Sequence, residues 1–506
     1  MNKQNRRSFL QTSLAASAAL SLPARVRAAA DGANGDIRVA VVGFNGRGQA
    51  HIAGYLGLKD KGVRIVALCD VDSAVLDKGV AQLKAKGQEV KGYQDIRKLL
   101  ESNEIDAVSI ATPNHWHSLG GIWTVQAGKD LYVEKPISHN VWEGRQLVKA
   151  TKAHNRIVQM GVQSRSGAGL AEAVEWAKSE PLGKLQYVRG LCYKRRPSIG
   201  KVDGDQPIPA TIDYDLWCGP AEKLPLHRQK LHYDWHWVWN TGNGDLGNQG
   251  IHQMDMARRF TGEALIAPAT FSVGGRLGYI DDGETPNSMF VFHDYKKAPL
   301  IFEVRGLPAE ADGKAMDQYR GASVGIVAQY EDGYILCVDN DNVLAVGKDG
   351  KVVKKFGNPP IPKGVIDPNP STPGETKKGD LAGAEHFANF IQCIRSRKSS
   401  DLHGPILEGH ISSALCHTGN ISYRLGGKLA PGAVREKIKG NKEAMDSFER
   451  LATHLAANHV EITNEQLTLG DYLKFDPAAE KFIDNKDADK LLTREYRAPF
   501  IVPENV

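Results

Sequence analysis

The sequence predicts an α/β chain of two domains, a parallel sheet covered by helices on both faces and then a region of antiparallel strands. Three observations predict this. From Asp36 to about Gly161 short apolar strands alternate with amphipathic helices, the pattern of a doubly wound parallel sheet. From Thr270 to Lys354 the pattern becomes strands separated by turn signals such as Asp281-Asp282-Gly283 and Lys348-Asp349-Gly350. The chain has 506 residues, too many for one ordinary core.

The first thirty residues read as an address. Asn5-Arg6-Arg7-Ser8-Phe9-Leu10 places paired arginines before an apolar pair, a weakly apolar run covers 12–22, and Ala28-Ala29-Ala30 offers small residues for cleavage. This is the pattern of a twin-arginine signal peptide over 1–30, which predicts a periplasmic or otherwise exported protein. The run is far shorter than the ~20 apolar residues of a bilayer-spanning helix, so no membrane span is expected in the mature protein. The leader holds Lys3, Arg6, Arg7, Arg25 and Arg27 and no acid; removing five cations from a formal charge of +5 leaves the remainder near neutral. No basic face for nucleic acid is indicated. The six cysteines are scattered and form no Cys-x-x-Cys pair, so neither a zinc knuckle nor a disulfide framework is expected.

The first domain is expected over 36–160. Strands are predicted at 37–42, 63–69, 107–111, 131–133 and 157–160, and helices at 49–58, 74–86, 96–100, 119–127 and 141–153. In such a sheet a ligand lies at the carboxyl ends of the strands. After the first strand comes Gly43-Phe44-Asn45-Gly46-Arg47-Gly48. The pyrophosphate-binding turn wants Gly-x-Gly-x-x-Gly. Gly43 and Gly48 fit the first and third places; Asn45 takes the second, where Asn tolerates left-handed angles and Gly46 adds freedom. Asp70 ends the second strand, where a carboxylate accepts from the adenosine ribose hydroxyls and repels a ribose phosphate, favouring NAD over NADP. Asp72 could cap a helix instead. The next strand runs into Thr112-Pro113-Asn114-His115-Trp116-His117. Thr112 and Asn114 could bond the cofactor, and His117 could line it. His115 and His117 lie two apart without an acid or Cys cluster, so no metal is expected.

Leu131-Tyr132-Val133-Glu134-Lys135-Pro136 ends a strand in a charged pair. These motifs, in this order and spacing, resemble the Gfo/Idh/MocA (glucose–fructose oxidoreductase/inositol dehydrogenase/rhizopine catabolism) family. The resemblance covers the chain to about Ala430. It implies an N-terminal Rossmann dinucleotide-binding domain, then an α+β domain with a large, mostly antiparallel open sheet serving the substrate and often oligomerisation. It implies nicotinamide-dependent redox chemistry on sugars, cyclitols or their derivatives, and a homo-oligomer. Lys135 would lie by the nicotinamide and the substrate hydroxyl, with Glu134 beside it in the cofactor site. Burial next to a cationic ring would lower its pKa and suit it as a base; as ammonium it could orient the oxygen instead.

The second domain is expected over 161–430. Tyr233-Asp234-Trp235-His236-Trp237-Val238-Trp239 is dense in aromatics, fitting either the C–H faces of a sugar or a satellite core. Gly242–Asp255 is similar to the family's second-domain motif, with Asn248, Gly250 and His252 at the places of Asp-x-Gly-x-His. If that segment is helical, Asn248 and His252 share a face, and His252 is the candidate proton relay beside Lys135. The family's acid is Asn248 here; Asp245 and Asp255 are the candidate compensating acids. Strands are expected at 270–275, 288–293, 300–305, 322–330, 334–338 and 343–346, helices at 382–397 and 407–425. The extension 431–506 should carry a helix at 444–455 and pack on the second domain.

Two enzyme readings follow. One is an exported NAD-dependent oxidoreductase acting at a carbinol carbon. The other is a glycoside hydrolase or lyase that oxidises its substrate transiently with a captive cofactor. A binding protein without catalysis is a third reading, opposed by Lys135 and His252.

Overall fold

The computed structural model describes residues 35–370, 381–463 and 467–506. The expected export signal at 1–30 lies outside them. β1 (Ile37–Val42), β2 (Val63–Cys69), β3 (Lys91–Tyr93), β4 (Ala107–Ile110), β5 (Asp130–Glu134) and β6 (Val158–Gly161) pair in parallel, in the order β3-β2-β1-β4-β5-β6. Every residue of β4, β5 and β6 is buried, as strands covered on both faces must be. The order reverses between β1 and β4, which opens a crevice at their carboxyl ends. The connecting helices are α1 (Gly48–Leu56), α2 (Ser73–Ala85), α3 (Ile96–Leu100), α4 (Asn114–Gln126) and α5 (Val141–Ala153). Asp72, Asp95 and Asn140 cap α2, α3 and α5 by accepting backbone N–H bonds. Asp72 thus takes the capping role that its position allowed.

The second domain opens with α6 (Ala168–Ala177) and β7 (Leu185–Tyr193). A long excursion follows, holding the short α7 (Tyr214–Cys218); a π-helical turn at Leu246–Gly250 then runs into α8 (Ile251–Thr261). β8 (Ala269–Gly275), β9 (Ser288–His293), β10 (Leu300–Arg305), β11 (Val324–Tyr330), β12 (Gly333–Cys337), β13 (Val343–Gly347) and β14 (Val352–Phe356) complete the main strands. Their order is β14-β13-β12-β11-β7-β10-β9-β8, antiparallel throughout except for β7 with β10. α9 (Leu381–Ser396) returns to the first domain, where Phe387 stacks on Tyr132 at 4.8 Å between ring centres. α10 (Ile406–Leu425) packs with α8 on one face of the large sheet.

The tail is more deeply built in than the sequence suggested. β15 (Gly427–Leu429) begins ahead of the expected boundary at 430. α11 (Pro431–Ile438) and α12 (Lys442–Ala457) cover the second face of the sheet, with Phe448 and Leu455 against Phe271, Phe290 and Phe292. β16 (Leu467–Leu469) and β17 (Leu473–Asp476) both pair with β8, so the extension adds strands to the sheet. After β18 (Lys481–Phe482) and α13 (Lys486–Lys490), the last residues cross to the first domain. There the Trp142 N–H donates to the Leu492 carbonyl at 2.9 Å, and Phe500 packs against Trp116 and Trp123. The extension therefore joins both domains instead of lying on the second alone.

Phe448 is fully buried in this interface. Phe448→Ala should cost about 3–5 kcal/mol of stability in denaturant unfolding; a loss below about 1 kcal/mol would mean that α12 is not part of the folded sheet.

Candidate active site

The crevice is a cavity of about 460 Å³, walled by the carboxyl ends of β1, β2, β4 and β5 and by the excursion between β7 and the π turn. The turn after β1 fits a phosphate at its first and third glycines. Gly43 has φ +75°, and a Cβ there would sit 2.9 Å from the Thr112 backbone; a Cβ on Gly48 would meet the Gly43 carbonyl at 2.2 Å. The middle of the turn differs from expectation. Neither Asn45 nor Gly46 has a positive φ, so Asn45 is not there for left-handed freedom. Both line the cavity, and a Cβ on Gly46 would meet nothing within 4 Å. Asp70 accepts from the backbone N–H of Phe44 and of Asp72, each at 3.1 Å. Burial raises its carboxyl pKa, and those two donors oppose the rise. Thr112 Oγ1 and Asn114 Oδ1 are buried without a hydrogen-bond partner and belong to residues lining the same cavity, as do Pro113 and His117. Two orphaned oxygens, an acid and a glycine cradle fit a dinucleotide.

Glu134 is the charge centre. Its Oε1 accepts from Arg47 Nε at 2.9 Å, His51 Nε2 at 3.0 Å and Gln163 Nε2 at 3.3 Å, and its Oε2 from the Lys135 N–H at 3.3 Å. Burial pushes against its ionisation, but Arg47, His51 and Lys135 together hold its carboxyl well below the usual range. Ser109 fixes the His51 ring from the other side, Nδ1 to Oγ being 2.8 Å. Glu134 thus braces the phosphate turn and is not a free acid.

Lys135 points across to the second domain. Its Nζ donates to the backbone carbonyl of Asn248, within the π turn. Burial lowers its pKa to about 8, against the opposing pull of Glu134 and with the help of Arg47. The π turn places Asn248 ahead of α8, so Asn248 and His252 lie on two successive helical elements and not on one α-helix. Asn248 lines the cavity, whereas His252 does not. His252 lies within electrostatic reach of Lys135; burial and then that charge push its pKa down to about 3. Neither compensating acid is free. Arg196 holds Asp245 in a bidentate pair at 2.6–3.0 Å, and Arg165 holds Asp255 at 2.8 Å.

His236 lies in the aromatic segment that the sequence left open between a sugar-facing wall and a satellite core. Its Nδ1 lies 2.5 Å from the Tyr233 carbonyl and its ring stacks on Trp235 at 3.6 Å. An Nδ1–H donated to that carbonyl leaves the Nε2 lone pair unspent. Burial, then Lys135, lowers its pKa to about 3, so it is neutral near pH 7. His236, Trp235 and Tyr233 line the cavity, so this part of the aromatic segment belongs to the site wall. The only sequence signal was aromatic density. His117 sits between the Pro136 and Thr112 carbonyls, its nitrogens 2.6 and 2.8 Å away, and His115 between the Trp217 and Thr241 carbonyls at 2.9 and 3.3 Å; burial lowers both pKa values, and each neutral ring donates to one carbonyl of its pair. Both are engaged with backbone. Among the described residues no cluster of His, Cys, Asp or Glu could hold a metal.

Comparison with known proteins defines the class. Residues 37–162 match the Gfo/Idh/MocA family as "Oxidoreductase family, NAD-binding Rossmann fold", and residues 185–282 match its "C-terminal alpha/beta domain". Both domain models of this oxidoreductase family are therefore matched, over less than half of the chain in total. Among curated relatives, it is 35% identical over 117 residues to a glycosyl hydrolase family 109 protein of Shewanella pealeana, covering 22% of this chain and 25% of that protein. It is 31% identical over 181 residues to inositol 2-dehydrogenase/D-chiro-inositol 3-dehydrogenase of Shouchella clausii, covering 36% and 51%. The chain thus spans from a quarter to about half of these relatives' lengths. An inositol dehydrogenase homolog of Azotobacter vinelandii, solved with NADH and myo-inositol, superposes with a TM-score of 0.55 at 17% identity, over 76% of this chain and 94% of that one. That likeness is one of fold.

The lowered pKa of Lys135 has a stability consequence. The unfolded chain holds this proton up to about 10.5, the folded chain only to about 8, so stability rises with pH across that window. Below it the charged form costs up to about 3 kcal/mol, while the hydrogen bond to Asn248 returns about 1. Lys135→Met should therefore raise the melting temperature at pH 7, with the gain fading towards pH 10.5. A variant melting below the parent at pH 7 would show that Lys135 is not desolvated.

Proposed function

We propose that the chain is an NAD-dependent oxidoreductase acting at a carbinol carbon of a sugar, sugar derivative or cyclitol, exported by the twin-arginine route. The observation that carries this is one cavity joining a dinucleotide cradle to a lysine whose pKa burial has brought near 8. A bound nicotinamide supplies the hydride acceptor. Thr112, Asn114 and the turn at Gly43 hold the cofactor, and Asp70 selects NAD by repelling a ribose phosphate. Lys135 takes the hydroxyl proton in its neutral form, so turnover should rise with pH through about 8. Export is supported by the paired arginines and the small residues that follow the apolar run.

A second reading, transient oxidation with a captive cofactor to cleave a glycoside, has its own support. Oxidation acidifies the neighbouring C–H, and its removal needs a base besides Lys135. His236 offers an unspent Nε2 in the same cavity. Leu216, Trp217 and His232 also close that cavity beside Asp70, which favours retention of the cofactor.

One experiment separates the readings. The purified protein is denatured, NAD(H) and NADP(H) are quantified by mass spectrometry, and the intact protein is incubated with NAD and a panel of inositols and aryl glycosides. NADH formed in step with substrate oxidation supports the dehydrogenase. Aglycone release without net NADH supports the second reading. A protein that neither contains nor binds a dinucleotide overturns both.

A further inference from the structure

We infer that the C-terminal tail is a latch on the dinucleotide site, in which Arg497 and Phe500 hold residues 211–221 as a strap over the cofactor and so set how long it stays bound. This rests on the proposal that NAD occupies the cavity. The strap belongs to the second domain but is fastened to the first. The Ser73 N–H donates to the Thr211 carbonyl at 2.8 Å, and the Asp213 N–H to the Val71 carbonyl at 3.1 Å, immediately beyond Asp70. Trp116 Nε1 donates to the Leu216 and Trp217 carbonyls at 2.9 and 3.2 Å. Gly219 permits this approach: its φ is +48°, and a Cβ there would lie 2.3 Å from the Trp116 ring. Leu216, Trp217 and Trp116 all line the cavity.

The tail grips the strap from outside. Arg497 donates from Nη1 to Asp215 Oδ1 at 2.9 Å, from Nη2 to the Asp215 carbonyl at 2.5 Å and from Nε to the Ala221 carbonyl at 3.2 Å. Its guanidinium lies 4.8 Å from the centre of the Phe500 ring. Phe500 is 1% exposed and meets Trp116 edge-on at 5.6 Å, with Arg97 at 5.1 Å. Tail, Trp116 and strap therefore form one continuous contact ending at the cavity. A cofactor leaving past Trp217 must lift the strap, which requires either breaking the Arg497 contacts or drawing the tail away with it. Neither Arg497 nor Phe500 lies in the two matched family domains.

The test follows NADH release from the loaded full chain, by loss of NADH fluorescence on mixing with excess NAD. Arg497→Ala removes three hydrogen bonds, one to a carboxylate, and should speed release by about tenfold or more. Phe500→Leu should give a smaller increase. Arg497→Ala combined with Asp215→Asn should release little faster than Arg497→Ala alone, because the two residues act as one contact. Release within about twofold of the parent in variants that keep its melting temperature overturns the latch. If Arg497→Ala does not fold, Phe500→Leu and hydrogen exchange on the parent decide. NADH should slow exchange at 212–219 and 495–500 together; protection of the strap alone overturns the latch. A parent chain that binds no NADH overturns the latch and the proposed function together, whereas tight binding with tail-independent release overturns the latch alone.

Discussion

A single buried carboxylate constrains the whole site. Glu134 ends β5 without solvent, and a charge there persists only if it is paired and hydrogen-bonded. Its partners come from three places: Arg47 in the phosphate turn, His51 on α1, and Gln163 just past β6. Satisfying one charge therefore fixes the turn against the sheet and the sheet against the entry to the second domain. It also leaves the Lys135 side-chain nitrogen without that carboxylate as a hydrogen-bonded partner, since successive strand residues face opposite ways; that nitrogen meets the Asn248 carbonyl instead. Arg47, brought in for Glu134, lowers the Lys135 pKa further, after burial has done most of it. The ionised acid and the neutral-prone base next to it in sequence are two consequences of one arrangement.

The legible parts of the fold were those with a period. Parallel strands read as apolar runs, and β1, β9 and β10 fall where alternation and burial placed them. Gly43, Gly48 and Asp70 were legible because a tight turn and a strand-end acid each demand a residue type at a fixed offset. β3, of three residues with none buried, and the two- to four-residue strands of the tail are too short to show alternation. The pairing of β16 and β17 with β8 is decided by tertiary contacts far apart in sequence.

The site was harder for a different reason. The spacing of Asn248 and His252 assumed one regular α-helix, and the segment instead begins as a π turn at Leu246–Gly250 whose Asn248 backbone carbonyl accepts from Lys135. Nothing in the composition of those five residues announces it. The wall of the cavity formed by Leu216, Trp217, Tyr233, Trp235 and His236 lies on an excursion dominated by short and irregular elements. Irregular backbone carries no periodicity, so aromatic density could mark a wall or a core and could not say which.

The amide at position 248 also acquires a physical meaning. The resemblance places an acid there, as partner for the histidine four residues on. In this chain the group that meets Lys135 is the Asn248 backbone carbonyl, a neutral acceptor. A carboxylate in that neighbourhood would stabilise the ammonium and raise the Lys135 pKa; an amide adds no such charge. His252, deprived of an acid and outside the cavity lining, is left neutral by burial and by Lys135. In the proposed reaction the proton therefore belongs to Lys135, with His236 as the second acceptor facing the same space. In that reading the base lies at the end of β5, next to the turn proposed to hold the cofactor, and not on the second-domain helix.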